Sequence, residues 1–148
     1  MAVRELSYSE AGRLVPCLEE LAAHHNEVSV FFKGKYPKNP VSRTIASFEE
    51  DIKSGGSKVG VIECDGEIAG FCKIGISGID GRVDYLIVSR KYRKKVFGAE
   101  LMDWATDLFK QSSVSRVEVR VVNGNDAVSF YERCGFKINS HILRMDIQ

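Results

Sequence analysis

The chain has almost no net charge: 21 Lys and Arg stand against 20 Asp and Glu, leaving +1. No global field draws it to nucleic acid or to an anionic membrane, and neither partner is expected. Any electrostatic function must come from local clustering. Its four cysteines (Cys17, Cys64, Cys72 and Cys134) include no C-x-x-C pair, which leaves little support for a zinc or thioredoxin-like reading. Their flanks are apolar or strand-like, as in Gly70-Phe71-Cys72-Lys73, so small buried thiols in a reducing cytosol are expected. No stretch approaches the roughly 20 apolar residues of a membrane span. The first residues carry charges where a signal peptide would place an apolar run, which also fits a cytoplasmic protein. Internal repeats, low-complexity tracts and linkers are missing as well.

What is present is an ordinary globular balance, with 44% hydrophobic and 28% charged residues over 148 positions. That length fits one domain over residues 1–148, large enough to fold without metal or disulfide. Residues 2–7 read as a short strand. Leu14, Leu18, Leu21 and Ala22 recur at helical spacing within 9–25, with Pro16 marking a kink or a first turn. Residues 26–39 read as a loop. Val41, Ile45, Phe48 and Ile52 give a second helix, ended by Gly55 and Gly56. Strands follow at 58–64, 67–76 and 82–89, with Asp65-Gly66 and Asp80-Gly81 as hairpin turns. Phe97, Leu101, Trp104, Ala105 and Leu108 mark a third helix. Residues 115–122 alternate as a strand, 125–134 form a helix stopped by Gly135, and 136–146 are expected to be the last strand. The order βααβββαβαβ means an α/β (α+β) fold, a mixed sheet with helices packed on it.

Two segments carry chemistry. In Arg90-Lys91-Tyr92-Arg93-Lys94-Lys95, five of six positions are basic, and the run joins a strand to a helix. A helix N-terminus offers unpaired N–H groups and partial positive charge, so the turn suits a ligand with several phosphates. A solvated basic loop is the plain alternative. The second segment holds Ala127, Phe130, Tyr131 and Cys134 on one apolar helix face, with Asn125 suited to the N-cap. From periodicity alone, Tyr131 reads as a core residue.

In this order, the two segments resemble the GNAT superfamily of acyl-CoA-dependent N-acetyltransferases. The family's Gln/Arg-x-x-Gly-x-Gly/Ala motif is matched by Arg93-Lys94-Lys95-Val96-Phe97-Gly98, with Val96 in place of the first glycine. The later motif, Asn-x-x-Ala-x-x-Phe-Tyr-x-x-x-Gly-Phe, is matched closely at its end by Ala127, Phe130, Tyr131, Gly135 and Phe136, and loosely at its front by Asn125. The resemblance implies a mostly antiparallel sheet whose central strands splay. It implies acetyl-CoA as cosubstrate, with the acetyl group passing directly to a primary amine of a small molecule, and no metal. Arg93, Lys94, Lys95, Val96, Phe97, Gly98 and Ala99 would hold its phosphates. Backbone amides near Ile87 and Val88 would bind pantetheine or the acetyl oxygen, with Asn125 and Tyr131 also at the cofactor. Tyr131 would be the acid for the leaving thiolate. Asp84, expected on the side of its strand opposite Tyr85 and Ile87, would be the base, unless it only pairs with Arg82 or another cation. Glu27, Phe31, Phe32 and Tyr36 would select the acceptor. His24 and His25 lack the i, i+4 spacing of a metal pair. A protein or peptide N-acetyltransferase and a non-catalytic acyl-CoA-binding domain are the alternatives. A homodimer through the last strand is a further expectation.

Overall fold

The computed structural model describes residues 3–147 apart from 38, 94, 95, 123, 124 and 126. Its strands are β1 (Arg4–Glu5), β2 (Ser57–Cys64), β3 (Glu67–Ser77), β4 (Asp80–Val88) and β5 (Arg116–Val119). Its α-helices are α1 (Val15–Val28), α2 (Val41–Lys53), α3 (Phe97–Gln111) and α4 (Ala127–Arg133), with 3-10 helices at Tyr8–Leu14 and Arg90–Tyr92. The strands lie side by side in chain order, antiparallel except for the parallel β4–β5 pair.

Each face of the sheet carries its own core. Ile45 and Phe48 of α2 sit against Val59, Val61 and Phe71 on one face. The i, i+3, i+4 spacing of the apolar residues puts them on one stripe of the helix, and the sheet covers that stripe. Pro16 falls in the first turn of α1, where a missing N–H costs nothing. On the other face Leu101, Met102, Ala105 and Phe109 of α3 pack on Ile62, Cys72, Ile74 and Val83. Each fully buried Leu, Ile or Phe contributes about 1.5–3 kcal/mol of apolar burial.

Three expectations need correction. The β3–β4 turn is Gly78-Ile79, not Asp80-Gly81. Gly78 supplies the positive φ (63°), while Asp80 and Gly81 already pair with Arg116 and Val117 of β5. The last strand does not form: residues 136–147 have no regular structure, and Ile138 is 65% and Leu143 90% exposed. β5 is only four residues long, and strand propensity without a face to bury is insufficient. Of the four cysteines, all free, Cys17 and Cys72 are buried but Cys134 is exposed.

Candidate active site

β4 changes character along its length. Its last partner on β5 is the Val83–Val119 pair, after which it pairs only with β3. The expected splay of the central strands is therefore present. The β3–β4 register also shifts here: Ile74 pairs with Val83 but Lys73 with Tyr85, so Asp84 is an extra, bulged residue. The bulge breaks the two-residue alternation. Asp84 and Tyr85 both turn toward α2, contrary to the expectation of opposite sides.

The splay frees main-chain donors. Ser89 N–H donates to Ala69 C=O at 2.7 Å. Antiparallel pairs alternate between bonded and non-bonded, so the amides of Ile87 and Tyr85 belong to the β3 ladder. Those of Leu86 and Val88 then face the gap left by β5. Sequence reasoning named Ile87 and Val88; Leu86 was missed because only the register assigns it. Ile87 is 4% exposed, so its side chain serves the core.

After β4 the chain turns through Arg90–Tyr92 into α3. Tyr92 is buried, and its hydroxyl donates to Glu67 Oε2 at 3.1 Å, which anchors the turn to β3. Not all the basic residues here are available. Arg90 pairs with Glu27 at 3.4 Å and Lys91 with Glu67 at 2.9 Å. Arg93 Nε donates to Val88 C=O at 3.3 Å, which leaves the rest of its guanidinium without a partner among the described residues. Lys94 and Lys95 lie outside the described residues. Val96 precedes the helix and is 68% exposed. Phe97 is 5% exposed and packs beside Tyr92, so its ring fixes the start of α3 and only its amide is available. Gly98 and Ala99 complete the first turn, whose N–H groups have no helical acceptor.

Tyr131, on α4, is 8% exposed, with Phe130 and Phe136 edge-on at 5.4 and 5.5 Å. Its ring is packed, and its hydroxyl has no hydrogen-bond partner among the described residues. Burial raises the phenol above its ordinary value, with smaller contributions from Cys72 and Cys134, so the proton is retained. Asn125 Oδ1 accepts from Ala127 N–H at 2.9 Å, as a capping residue does, and Gly135 ends the helix at φ 105°.

On the α2 side, Asp84 is held by cations. Lys73 Nζ lies 3.0 Å from Asp51 Oδ2 and 3.4 Å from Asp84 Oδ2, and Arg82 Nε lies 3.2 Å from Asp84 Oδ1. Lys73 is 5% exposed and lies over the Phe48 ring at 5.0 Å. These groups, with Arg43 and Tyr85, line a cleft of about 560 Å³. Lys73 and Arg43 were missed. The one lysine within the apolar β3 sequence was the available signal for a buried cation.

The expected acceptor residues are not in this cleft. Glu27 faces Arg90, Phe31 is 79% exposed, Arg144 stacks on Phe32 at 4.1 Å, and the Tyr36 ring meets His25 at 5.1 Å. They cluster around the end of α1 instead. Among the described residues, no His, Cys, Asp and Glu group could hold a metal ion. No described helix is long and apolar enough to cross a membrane.

The sequence profile of the acetyltransferase (GNAT) domain matches residues 21–145. This chain belongs to the GNAT acetyltransferase family. Among curated relatives, a Bacillus subtilis (strain 168) protein is 31% identical over 78 residues, 52% of either chain. Its provisional name is ribosomal protein bS18-alanine N-acetyltransferase. The match thus spans about half the length of that relative. Solved structures share the fold. A mutant BH1408 protein from Bacillus halodurans has TM-score 0.81 at 19% identity, with 100% of both chains covered. The PaiA N-acetyltransferase from Thermoplasma acidophilum, in complex with coenzyme A, has TM-score 0.74 at 18% identity, covering 95% of this chain and 91% of that one. Ribosomal-protein-alanine N-acetyltransferase from Brucella melitensis biovar Abortus 2308 has TM-score 0.69 at 18% identity, covering 98% and 100%.

The GNAT fold presents groups here that suit coenzyme A. Leu86 and Val88 offer main-chain N–H groups to a ligand's carbonyls, and the first turn of α3 with Arg93 offers donors to a phosphate. The glycine replaced by Val96 leaves a side chain directed to solvent at that turn, not into the core.

Proposed function

We propose that this protein is an acetyl-CoA-dependent N-acetyltransferase that moves the acetyl group directly to a primary amine. The observation that carries the reading is the gap beyond the Val83–Val119 pair, with a phosphate-suited helix start at one end and Tyr131 and Asp84 on its two sides. Acetyl-CoA supplies the acetyl group as a thioester. Leu86 and Val88 orient it, and a fixed N–H aimed at the carbonyl oxygen favours the charge that develops there. The amine lone pair forms the new C–N bond, and the C–S bond breaks with its electron pair on sulfur. Tyr131 gives its hydroxyl proton to that sulfur and regains one from solvent. Asp84, directly or through water, takes the proton the amine loses.

The cleft of about 560 Å³ is in the range of small-molecule sites and supports a small amine as acceptor. The names of two relatives support a second reading, a protein N-terminal alanine. The test is deuterium uptake with acetyl-CoA, followed by thiol release with an amine panel. Protection of amides 86, 88 and 96–99, with thiol released only when amine is added, is expected. Protection without release leaves a binding domain, and no protection removes the proposal. Asp84→Asn is expected to lower kcat about tenfold and to change its pH dependence.

A further inference from the structure

The cleft beside α2 has positive charge to spare. It holds three cations, Arg43, Lys73 and Arg82, against two carboxylates, Asp51 and Asp84. Both carboxylates are already engaged by Lys73, and Asp84 also by Arg82 Nε. Lys73 is buried between them and lies over Phe48, so it is not open to a ligand. Arg82 lies across Gly75, where any side chain would collide with its guanidinium, and its outer nitrogens have no carboxylate among the described residues. Arg43 has no ion pair among the described residues. Among the described residues, two forked donors thus remain without a carboxylate in one concave site.

We infer that this cleft binds an acceptor amine that also carries a carboxylate, with Arg43 and Arg82 holding the carboxylate. The inference rests on the acetyltransferase reading and narrows its substrate class. A guanidinium fork matches a planar carboxylate through two parallel hydrogen bonds. A bare ammonium would meet an excess of like charge in the cleft. An amine with its own anion offsets that excess, and the nearby cations favour the neutral amine that acyl transfer requires. Position supports the same reading. Asp84 lines the cleft and is also the first β4 residue beyond the last β5 pair, so the cleft opens where the thioester gap begins. A carboxylate seated on the arginines leaves the amine of the same molecule directed at that junction. Free amino acids and acidic peptides both present this chemistry.

The test uses matched acceptors: glutamate against its diamide, and N-terminal peptides with Asp against Asn at the second position. At least one carboxylate member is expected to exceed its neutral partner about tenfold in kcat/KM, since a hydrogen bond to a charged group is worth ~1.5–3 kcal/mol. Arg43→Gln is expected to raise KM for that member about tenfold and remove most of its advantage. Glu49→Gln, on the exposed side of α2, serves as the unchanged control. Whichever pair shows the preference identifies free amino acid or peptide as the source. Equal kcat/KM within both pairs overturns the inference, as does an Arg43→Gln loss shared by charged and neutral members. Calorimetry with glutarate and no acetyl-CoA examines the anion site separately. Saturable binding that Arg43→Gln abolishes supports it, and no binding at millimolar glutarate overturns it, whether or not any amine is acetylated. Failure of the acetyltransferase reading looks different: acetyl-CoA then protects no amide, or protects them while no acceptor of either kind, charged or neutral, releases thiol.

Discussion

The two halves of β4 are one strand with two fates. Residues 80–83 are paired on both sides, by β3 and by β5, and Val83 is 4% exposed. Gly81 is so closely packed that a Cβ there would sit 2.7 Å from the Phe109 ring. Residues 84–88 have β3 on one side and a gap on the other. Residue types do not separate the halves, since Val83 lies in one and Val88 in the other. The neighbour does. Where β5 stays, backbone polar groups are consumed by the ladder and the strand is scaffold. Where β5 leaves, the same groups have no ladder partner on that side, and a bulge turns an acidic side chain toward the α2 cleft. The closed half fixes the geometry that the open half uses.

The largest way to break this contrast is at the open half. Tyr131→Phe should lower kcat about 100-fold or more, with acetyl-CoA affinity and circular dichroism nearly unchanged. Because burial raises that phenol above its ordinary value, it stays protonated through neutral pH. The rate profile should therefore show no loss of the Tyr131 proton below about pH 10. Unchanged turnover in Tyr131→Phe would reduce this residue to a packing role.

The closed half should respond through stability. Gly81→Val places methyl groups into Phe109 and Val114 and should cost about 1–3 kcal/mol in urea unfolding. A neutral result would mean that the paired end tolerates displacement and is not the rigid reference.

Gly98→Ala sharpens the comparison with the smallest effect. A Cβ there would lie 3.6 Å from the Phe130 ring, an ordinary contact, so the fold has room for it. Stability should stay level or rise by about 0.5 kcal/mol, as for Gly→Ala in a compatible helix. Affinity for coenzyme A should nonetheless fall several-fold if its phosphate approaches that main chain. Calorimetry and a melting curve on one sample give both readings, and unaltered affinity would move the phosphate site away from Gly98.

Much of this is legible in the amino-acid sequence. The apolar spacings of α2 and α3, the Asp65-Gly66 hairpin and the Gly135 stop follow from local rules, and each is where those rules put it. The turn after β4 and Tyr131 could be singled out because their motifs are local. The misses have a common cause. Asp80-Gly81 looked like a turn because its residue types suit one, but pairing with β5 claimed it as strand. Residues 136–146 read as a strand, but past Phe136 their large apolar side chains (Ile138, Ile142, Leu143 and Met145) stay exposed. Asp84 was placed on the wrong face because a bulge cannot be seen in a period of two.

The amino-acid order alone determined the helices α2 and α3, the β2–β3 hairpin, where a phosphate-suited helix begins, and which tyrosine stands on an apolar face. These are short-range matters of spacing and backbone preference. Only the tertiary structure decided where β5 parts from β4, that Lys73 is buried between Asp51 and Asp84, and that Arg43 and Arg82 share a cleft. Those facts depend on residues far apart in the chain meeting across a sheet, and no local pattern encodes which backbone groups and charges remain unpaired after they meet.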